Sequence, residues 1–179
     1  MARNVEIKAR VNQPAQLREL ALALGDGPGQ LIRQKDTFYN APLGRLKLRE
    51  FGDGTGELIA YNRPDQEGPK TSQYSLSPTH NPEKLHTALA QALGVRGVVI
   101  KQRTLVLTGR TRIHLDHVAG LGDFMELEVV LTADETLEQG MTVVRDLMSR
   151  LEIAAADLIE GAYIDHLEAK NSASQPPGN

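Results

Sequence analysis

Residues 4–11, NVEIKARV, alternate strictly, with Val5, Ile7, Ala9 and Val11 on one side and Asn4, Glu6, Lys8 and Arg10 on the other. Period two is the pattern of a strand with one apolar face. The alternation recurs in GRLKLRE (44–50), VIKQR (99–103), RIHLD (112–116) and MELEVV (125–130). Strands are predicted over 4–11, 30–39, 44–51, 56–63, 70–77, 96–108, 110–117 and 124–131. Helical spacing replaces this period in four places. Asn12 and Pro14 open a first helix through Leu17, Leu20 and Leu24, and Asn81 with Pro82 opens a second that stops at Gly94. A third is expected over 134–151 and a fourth over 155–168, although Gly140 and Gly161 interrupt their patterns. FGDGTGE (51–57) carries three glycines, but a strand follows it rather than a helix. That favours a hairpin turn over a phosphate-binding loop, which needs a helix N-terminus behind it.

The second face of these strands raises the functional question. Solvated strand faces favour Thr and mixed polar residues, whereas here Lys and Arg pairs stand two apart beside acids. Like charges spaced this way repel unless something anionic lies among them. An antiparallel sheet with one wet face is the plainer reading. The other reading is an α+β fold in which eight antiparallel strands close into a β-barrel with outer helices and the charged faces point inward. Its lumen would hold the cations Lys8, Arg10, Arg45, Lys47, Arg49, Arg63, Lys101, Arg103 and Arg112. It would also hold the carboxylates of Glu6, Glu126, Glu128 and Asp116. Unpaired buried charges cost several kcal/mol each. Such a lining therefore calls for counter-charges: a polyphosphate for the cations and a divalent metal for the acids. Carboxylate and water ligation suits Mg²⁺ or Mn²⁺.

Composition narrows the field. The chain has 179 residues, no cysteine and a formal net charge of −3. Disulfides, thiol nucleophiles and cysteine-ligated metals are excluded. There is no global basic excess that would indicate nucleic acid, and no apolar run of membrane-spanning length. The expectation is one domain over 1–170 with a disordered tail over 171–179, in a soluble cytoplasmic protein, with a homodimer as an allowed assembly.

The ordered blocks NVEIKAR, QKDTFYN (34–40), GRLKLRE, LIAYNRPD (58–65), IKQR (100–103) and RIHLDHVAGLGDFMELEVV (112–130) resemble the CYTH superfamily, the triphosphate tunnel metalloenzymes. The wording is closest to the branch of class IV adenylyl cyclase-like proteins. The resemblance implies an eight-stranded barrel in which Lys8, Lys47, Arg49, Lys101, Arg103 and Arg112 bind a triphosphate, with Arg10 and Arg63 as further ligands. It implies that Glu6, Glu126 and Glu128 hold Mg²⁺ or Mn²⁺, with Asp116 a further metal ligand. Glu6, Lys8 and Arg112 would be catalytic. Two positions depart from the pattern: Asn4 stands for the first glutamate of the signature, and Val106 stands where an aromatic substrate contact is expected.

Three functions stay open on the sequence. Hydrolysis of a triphosphate (inorganic triphosphate, thiamine triphosphate or ATP) is slightly favoured, because it needs only the triphosphate end. Cyclisation of ATP to cyclic AMP and pyrophosphate is the alternative enzyme, and a non-catalytic polyphosphate- or nucleotide-binding module is the third. His114 reads as a hydrogen-bonded structural residue rather than a general base. Tyr163, in the last predicted helix, is expected to pack across the barrel as a plug at one end of the tunnel.

Overall fold

The structure, a computed structural model, describes residues 3–62 and 73–174. Eight strands form one sheet: β1 (Arg3–Arg10), β2 (Gln30–Tyr39), β3 (Arg45–Phe51), β4 (Gly56–Asn62), β5 (Gln73–Thr79), β6 (Val95–Thr108), β7 (Thr111–Val118) and β8 (Gly122–Leu131). Their order is β1-β8-β7-β6-β2-β3-β4-β5, and every neighbouring pair is antiparallel. The ladder does not close between β1 and β5 among the described residues. The sheet nevertheless curls until all eight strands line one cavity, so the architecture is α+β and barrel-like. The glycine-rich segment between β3 and β4 is the expected hairpin turn. Gly54 takes a positive φ of 84° there, and Phe51 N–H donates to Thr55 O.

On β1, β7 and β8 the apolar faces point outward and are covered by helices. Val5 and Ala9 of β1, Ile113 of β7 and Leu127 and Val129 of β8 form a core with α1 (Pro14–Leu24) and α3 (Leu137–Arg150). Burying side chains of this size contributes roughly 1.5–3 kcal/mol each. α3 runs straight through Gly140, whose role is close approach. A Cβ there would lie 2.6 Å from Leu131 and 2.7 Å from Val5. Thr136 caps α3 in a reciprocal box with Gln139. α2 (Pro82–Leu93) is capped by Asn81, as expected, and lies against β2 and β3, where Tyr39 Oη meets His86 Nδ1 at 2.9 Å.

Several boundaries differ from the sequence expectation, among them the start of α3 at Leu137 and the end of β5 at Thr79. α1 has Gln13, not Asn12, at its cap position, with no side-chain bond; Pro14 supplies the start. The helix expected over 155–168 is two pieces, a 3-10 turn at Ala155–Asp157 and α4 at Tyr163–Ala173. Gly161, at φ 86°, breaks it, a conformation that disfavours side chains. α4 therefore reaches into the expected tail, of which residues 175–179 lie outside the described residues. No described helix is long and apolar enough to cross a membrane.

Candidate functional site: a charged tunnel

Register brings the inward residues into rows. Glu6 of β1 faces Glu128 of β8, which faces Arg112 of β7. One step along, Lys8 faces Glu126 and Glu126 faces His114. A further step brings Asp116 of β7 opposite Arg103 of β6. The cavity these rows enclose has a volume of about 630 Å³.

On the β6–β7–β8–β1 wall the charges are knitted together. Asp116 accepts two hydrogen bonds from the Arg103 guanidinium, both at 2.7 Å, one from Lys101 at 3.1 Å and one from Tyr163 Oη at 3.0 Å. Glu126 joins Lys8 at 3.2 Å and Arg103 at 2.9 Å, with His114 Nδ1 at 3.5 Å. Tyr163 closes this end. Its ring centroid lies 4.0 Å from the Lys8 ammonium and 5.2 Å from that of Lys101, and Lys8 also donates to Gly161 O. The first turn of α4 is tied down by Asp165, which pairs with Arg45 of β3 and Arg96 of β6.

The β2–β5 wall repeats one part of this arrangement. Asp36 of β2 accepts from Lys47 Nζ at 2.8 Å and from Arg49 at 2.8 and 2.7 Å, both on β3. Around this clamp the wall is largely apolar, through Phe38, Ile59, Tyr61 and Leu76.

Ionisation follows these contacts. Burial pushes Asp36, Asp116 and Glu126 toward the neutral acid, but the lysines and arginines beside them outweigh it and hold all three carboxyls below their ordinary values. Lys101 is pushed down to about 8, by burial first and then by the Arg103 guanidinium, despite Glu126 and Asp116 nearby. Burial likewise lowers Lys47 and, against its bond to Glu126, His114. Burial thus disfavours a charge on His114, which sits beside Glu126 in the wall.

Of the residues singled out in the sequence, Glu6, Lys8, Lys47, Arg49, Lys101, Arg103, Glu126 and Glu128 all line the cavity. Four others are not among its lining residues. Arg10 is exposed, with its guanidinium over the outer edge of the site at Phe124, 5.3 Å from the ring centroid. Arg112 is 48 % exposed and reaches back to Glu128 at 3.0 Å. Arg45 is drawn to α4. Asp116, expected as a further metal ligand, accepts from Arg103, Lys101 and Tyr163 on its two oxygens. Arg63 lies outside the described residues. Val106 packs in the outer core near Leu17 and Ala21, so its position does not contact the lumen.

The sequence reading missed Asp36 and Glu57. Asp36 was visible as the lone acid of QKDTFYN, two residues before an aromatic, but a single acid in a strand gives no hint of two cations across the ladder. Glu57 faces Arg49 directly across the β3–β4 ladder and lines the cavity. The counter-charge expected from a ligand is thus partly built in.

Glu6 and Glu128 fit a divalent cation. They face one another on the inner side of adjacent antiparallel strands, and carboxylate oxygens are the ligands such a cation takes. Asn4 donates to Glu128 at 2.8 Å, which holds that carboxylate in place. Among the described residues no three carboxylates or histidines converge as a ready-made metal cluster, and Glu126 is engaged by Lys8 and Arg103.

The model of the CYTH domain matches residues 2–163. The adenylate cyclase CyaB of Aeromonas hydrophila is 30% identical over 78 residues, which is 42% of this chain and 41% of that protein, so less than half of that relative is matched. The PH1012 protein from Pyrococcus horikoshii superposes with a TM-score of 0.80 at 22% identity, over 90% of this chain and 98% of that one. A Hippeastrum protein, HpAC1, described as a candidate adenylyl cyclase with a dominant triphosphatase activity, superposes with a TM-score of 0.66 at 16% identity, over 99% and 98%. At these identities the two superpositions establish the shared fold.

Proposed function

The chain belongs to the CYTH family, and on that premise we propose that it is a divalent-metal-dependent enzyme that binds a triphosphate in the tunnel and hydrolyses it. One observation carries the reading: the inner faces of eight strands bring Lys8, Lys47, Arg49, Lys101 and Arg103 around a single cavity, with the Glu6–Glu128 pair on its wall. Arginine forks and lysines at this density match phosphate oxygens in geometry and charge. Their donors also stabilise charge that builds on the phosphoryl group and the leaving phosphate. Glu6 and Glu128 would hold Mg²⁺ or Mn²⁺, which supplies Lewis acidity at a phosphate oxygen. Glu126 keeps Lys8 and Arg103 oriented, and Tyr163 fixes Lys8 and Lys101 from the closed end.

A second reading, cyclisation of ATP, is favoured by the apolar stretch of the β2–β5 wall, since cyclisation needs the nucleoside held as well as the triphosphate. Product identity separates the two. The chain is incubated with Mg²⁺ or Mn²⁺ and, separately, ATP, inorganic triphosphate and thiamine triphosphate, with Glu128→Gln as the control. Orthophosphate release that falls about a hundredfold or more in Glu128→Gln is the expected result. Cyclic AMP and pyrophosphate from ATP would replace hydrolysis by cyclisation. Equal release by both proteins would leave a binding module.

A further inference from the structure

Glu57 stands first on the inner face of β4, directly opposite Arg49 on β3 and Pro78 on β5, and it lines the cavity. Asp36, Asp116, Glu126 and Glu128 each accept hydrogen bonds from neighbouring donors. Glu57 makes no hydrogen bond and no ion pair among the described residues. A carboxylate whose task was to neutralise Arg49 would be paired with it, but Arg49 turns its Nε and Nη2 to Asp36. The ladders also set where Glu57 lies along the tunnel. The inner face of β4 runs Glu57, Ile59, Tyr61 against Arg49, Lys47, Arg45 of β3, and Arg45 is tied to α4. On β8 the Phe124 ring centroid is 5.0 Å from that of Tyr163 in α4, and Glu126 and Glu128 follow away from it. Glu57 and the Glu6–Glu128 pair therefore both stand toward the end of the tunnel away from α4, on different walls.

A carboxylate in this place works against the ground state, because it repels an incoming polyphosphate. A group that repels the bound substrate raises the rate only through an interaction made in the transition state. For a carboxylate that keeps its lone pairs, that interaction is acceptance of a proton from water. Arg49, a phosphate ligand of the tunnel, is its cross-strand partner, and such partners on one face stand about 5 Å apart at Cβ. We propose that Glu57 is the general base of triphosphate hydrolysis, taking a proton from the water that attacks the phosphorus held at Arg49. As the water oxygen bonds to phosphorus, its proton passes to a Glu57 oxygen. The bond from that phosphorus to the bridging oxygen breaks, its electron pair leaves with the departing phosphate, and that phosphate takes up the proton from Glu57. This role rests on the triphosphate reading of the same cavity.

The test uses the full chain in Mg²⁺. The substrate is whichever of inorganic triphosphate, thiamine triphosphate and ATP is turned over fastest. The binding probe is inorganic triphosphate with both bridging oxygens replaced by methylenes. In Glu57→Gln, kcat for orthophosphate release is expected to fall about a hundredfold. Calorimetric affinity for the probe is expected to hold, or to rise by up to about tenfold, because a negative charge has left the tunnel. Binding at full strength also shows that the variant is folded. Glu57→Ala is expected to lose as much and to regain about tenfold in kcat when formate is added, a small carboxylate that takes the proton in its place. A kcat in Glu57→Gln within about threefold of the unaltered chain would overturn the general base and leave the tunnel standing. So would weaker binding of the probe at unchanged kcat, which would make Glu57 a support for Arg49. A loss in Glu57→Ala that formate leaves untouched would overturn it too. If the unaltered chain binds the probe but releases no orthophosphate from any of the three substrates, hydrolysis and its base fall together. If it fails to bind the probe, the triphosphate reading itself falls.

Discussion

Lys101-Gln102-Arg103 on β6 and Lys47-Leu48-Arg49 on β3 are the same device on opposite walls of the tunnel. In each, a lysine and an arginine two residues apart grip one aspartate on the neighbouring strand, Asp116 or Asp36. What surrounds them differs. Arg103 has a second carboxylate in Glu126, Asp116 has a fourth bond from Tyr163, and the side chains of Lys101, Arg103 and Asp116 are at most 9% exposed. Lys47 and Arg49 are 14% and 15% exposed and have aliphatic and aromatic neighbours. A local motif therefore does not set its own role. Closed in by acids and an aromatic lid, the β6 pair is almost wholly buried; set in a largely apolar wall, the β3 pair keeps more contact with solvent.

The largest effect that tests this contrast is on stability. Asp116→Asn leaves Arg103 and Lys101 with one carboxylate fewer in the most buried part of the tunnel, and a loss of roughly 3–5 kcal/mol is expected. Asp36→Asn, beside better-hydrated cations, is expected to lose about 2 kcal/mol. Urea unfolding of the two variants measures both, and equal losses would remove the distinction between the walls. Each aspartate has a folded-state pKa below its ordinary value. Its stabilisation is thus present above the ordinary carboxyl range and is lost as pH falls through it toward the folded value. The variants and the parent should therefore converge in stability on acidification.

A second effect is on binding and has the opposite pH sense. Lys101 has a folded value of about 8, below its ordinary 10.5. The fold thus penalises its charged form fully below about 8, and the penalty shrinks as pH rises toward the unfolded value. Stability from this group rises over that window while the tunnel loses one cation. Triphosphate affinity is expected to fall about tenfold between pH 7 and 9.5, the worth of one charge-assisted contact. Lys101→Met should flatten that profile, and an unchanged profile in Lys101→Met would assign the titration to another group.

Much of this arrangement was legible in the sequence because alternation fixes which side chains share a face. Period two put Lys8, Lys47, Arg49, Lys101, Arg103, Glu126 and Glu128 on the charged strand faces, and the barrel reading turned those faces inward, where the structure has them. The pairings were not legible. Which aspartate meets which arginine depends on strand register across β2–β3 and β6–β7, and alternation within a strand does not set the register between strands. For the same reason Asp36 and Glu57 passed unnoticed, and Arg112, inward by parity, ended half-exposed near a strand end. Gly161 was legible as an interruption of the last helix; that it splits the segment into a 3-10 turn and α4 was not, because a glycine inside a helical pattern does not by itself say whether the helix ends there.

The smallest effect concerns the aromatic residues that stand by the two lysines. Tyr163 has its ring 4.0 Å from the Lys8 ammonium and its hydroxyl on Asp116, whereas Phe38 is 5.6 Å from Lys47 and has no polar handle. If Tyr163 belongs to the rigid wall, its two parts should be separable. Tyr163→Phe removes only the hydrogen bond to Asp116 and is expected to lose about 1 kcal/mol of stability with KM unchanged. Tyr163→Leu also removes the ring beneath Lys8 and Lys101, and a two- to fivefold rise in KM is expected with it, for an interaction of about 0.5–1 kcal/mol. Phe38→Leu keeps the apolar wall and loses only a distant cation contact, so KM for inorganic triphosphate should move by less than about twofold. Should Phe38→Leu raise that KM as much as Tyr163→Leu, the aromatic residues on the two walls would be equivalent supports for lysine. The walls would then differ in burial alone, and the division of labour between them would be lost.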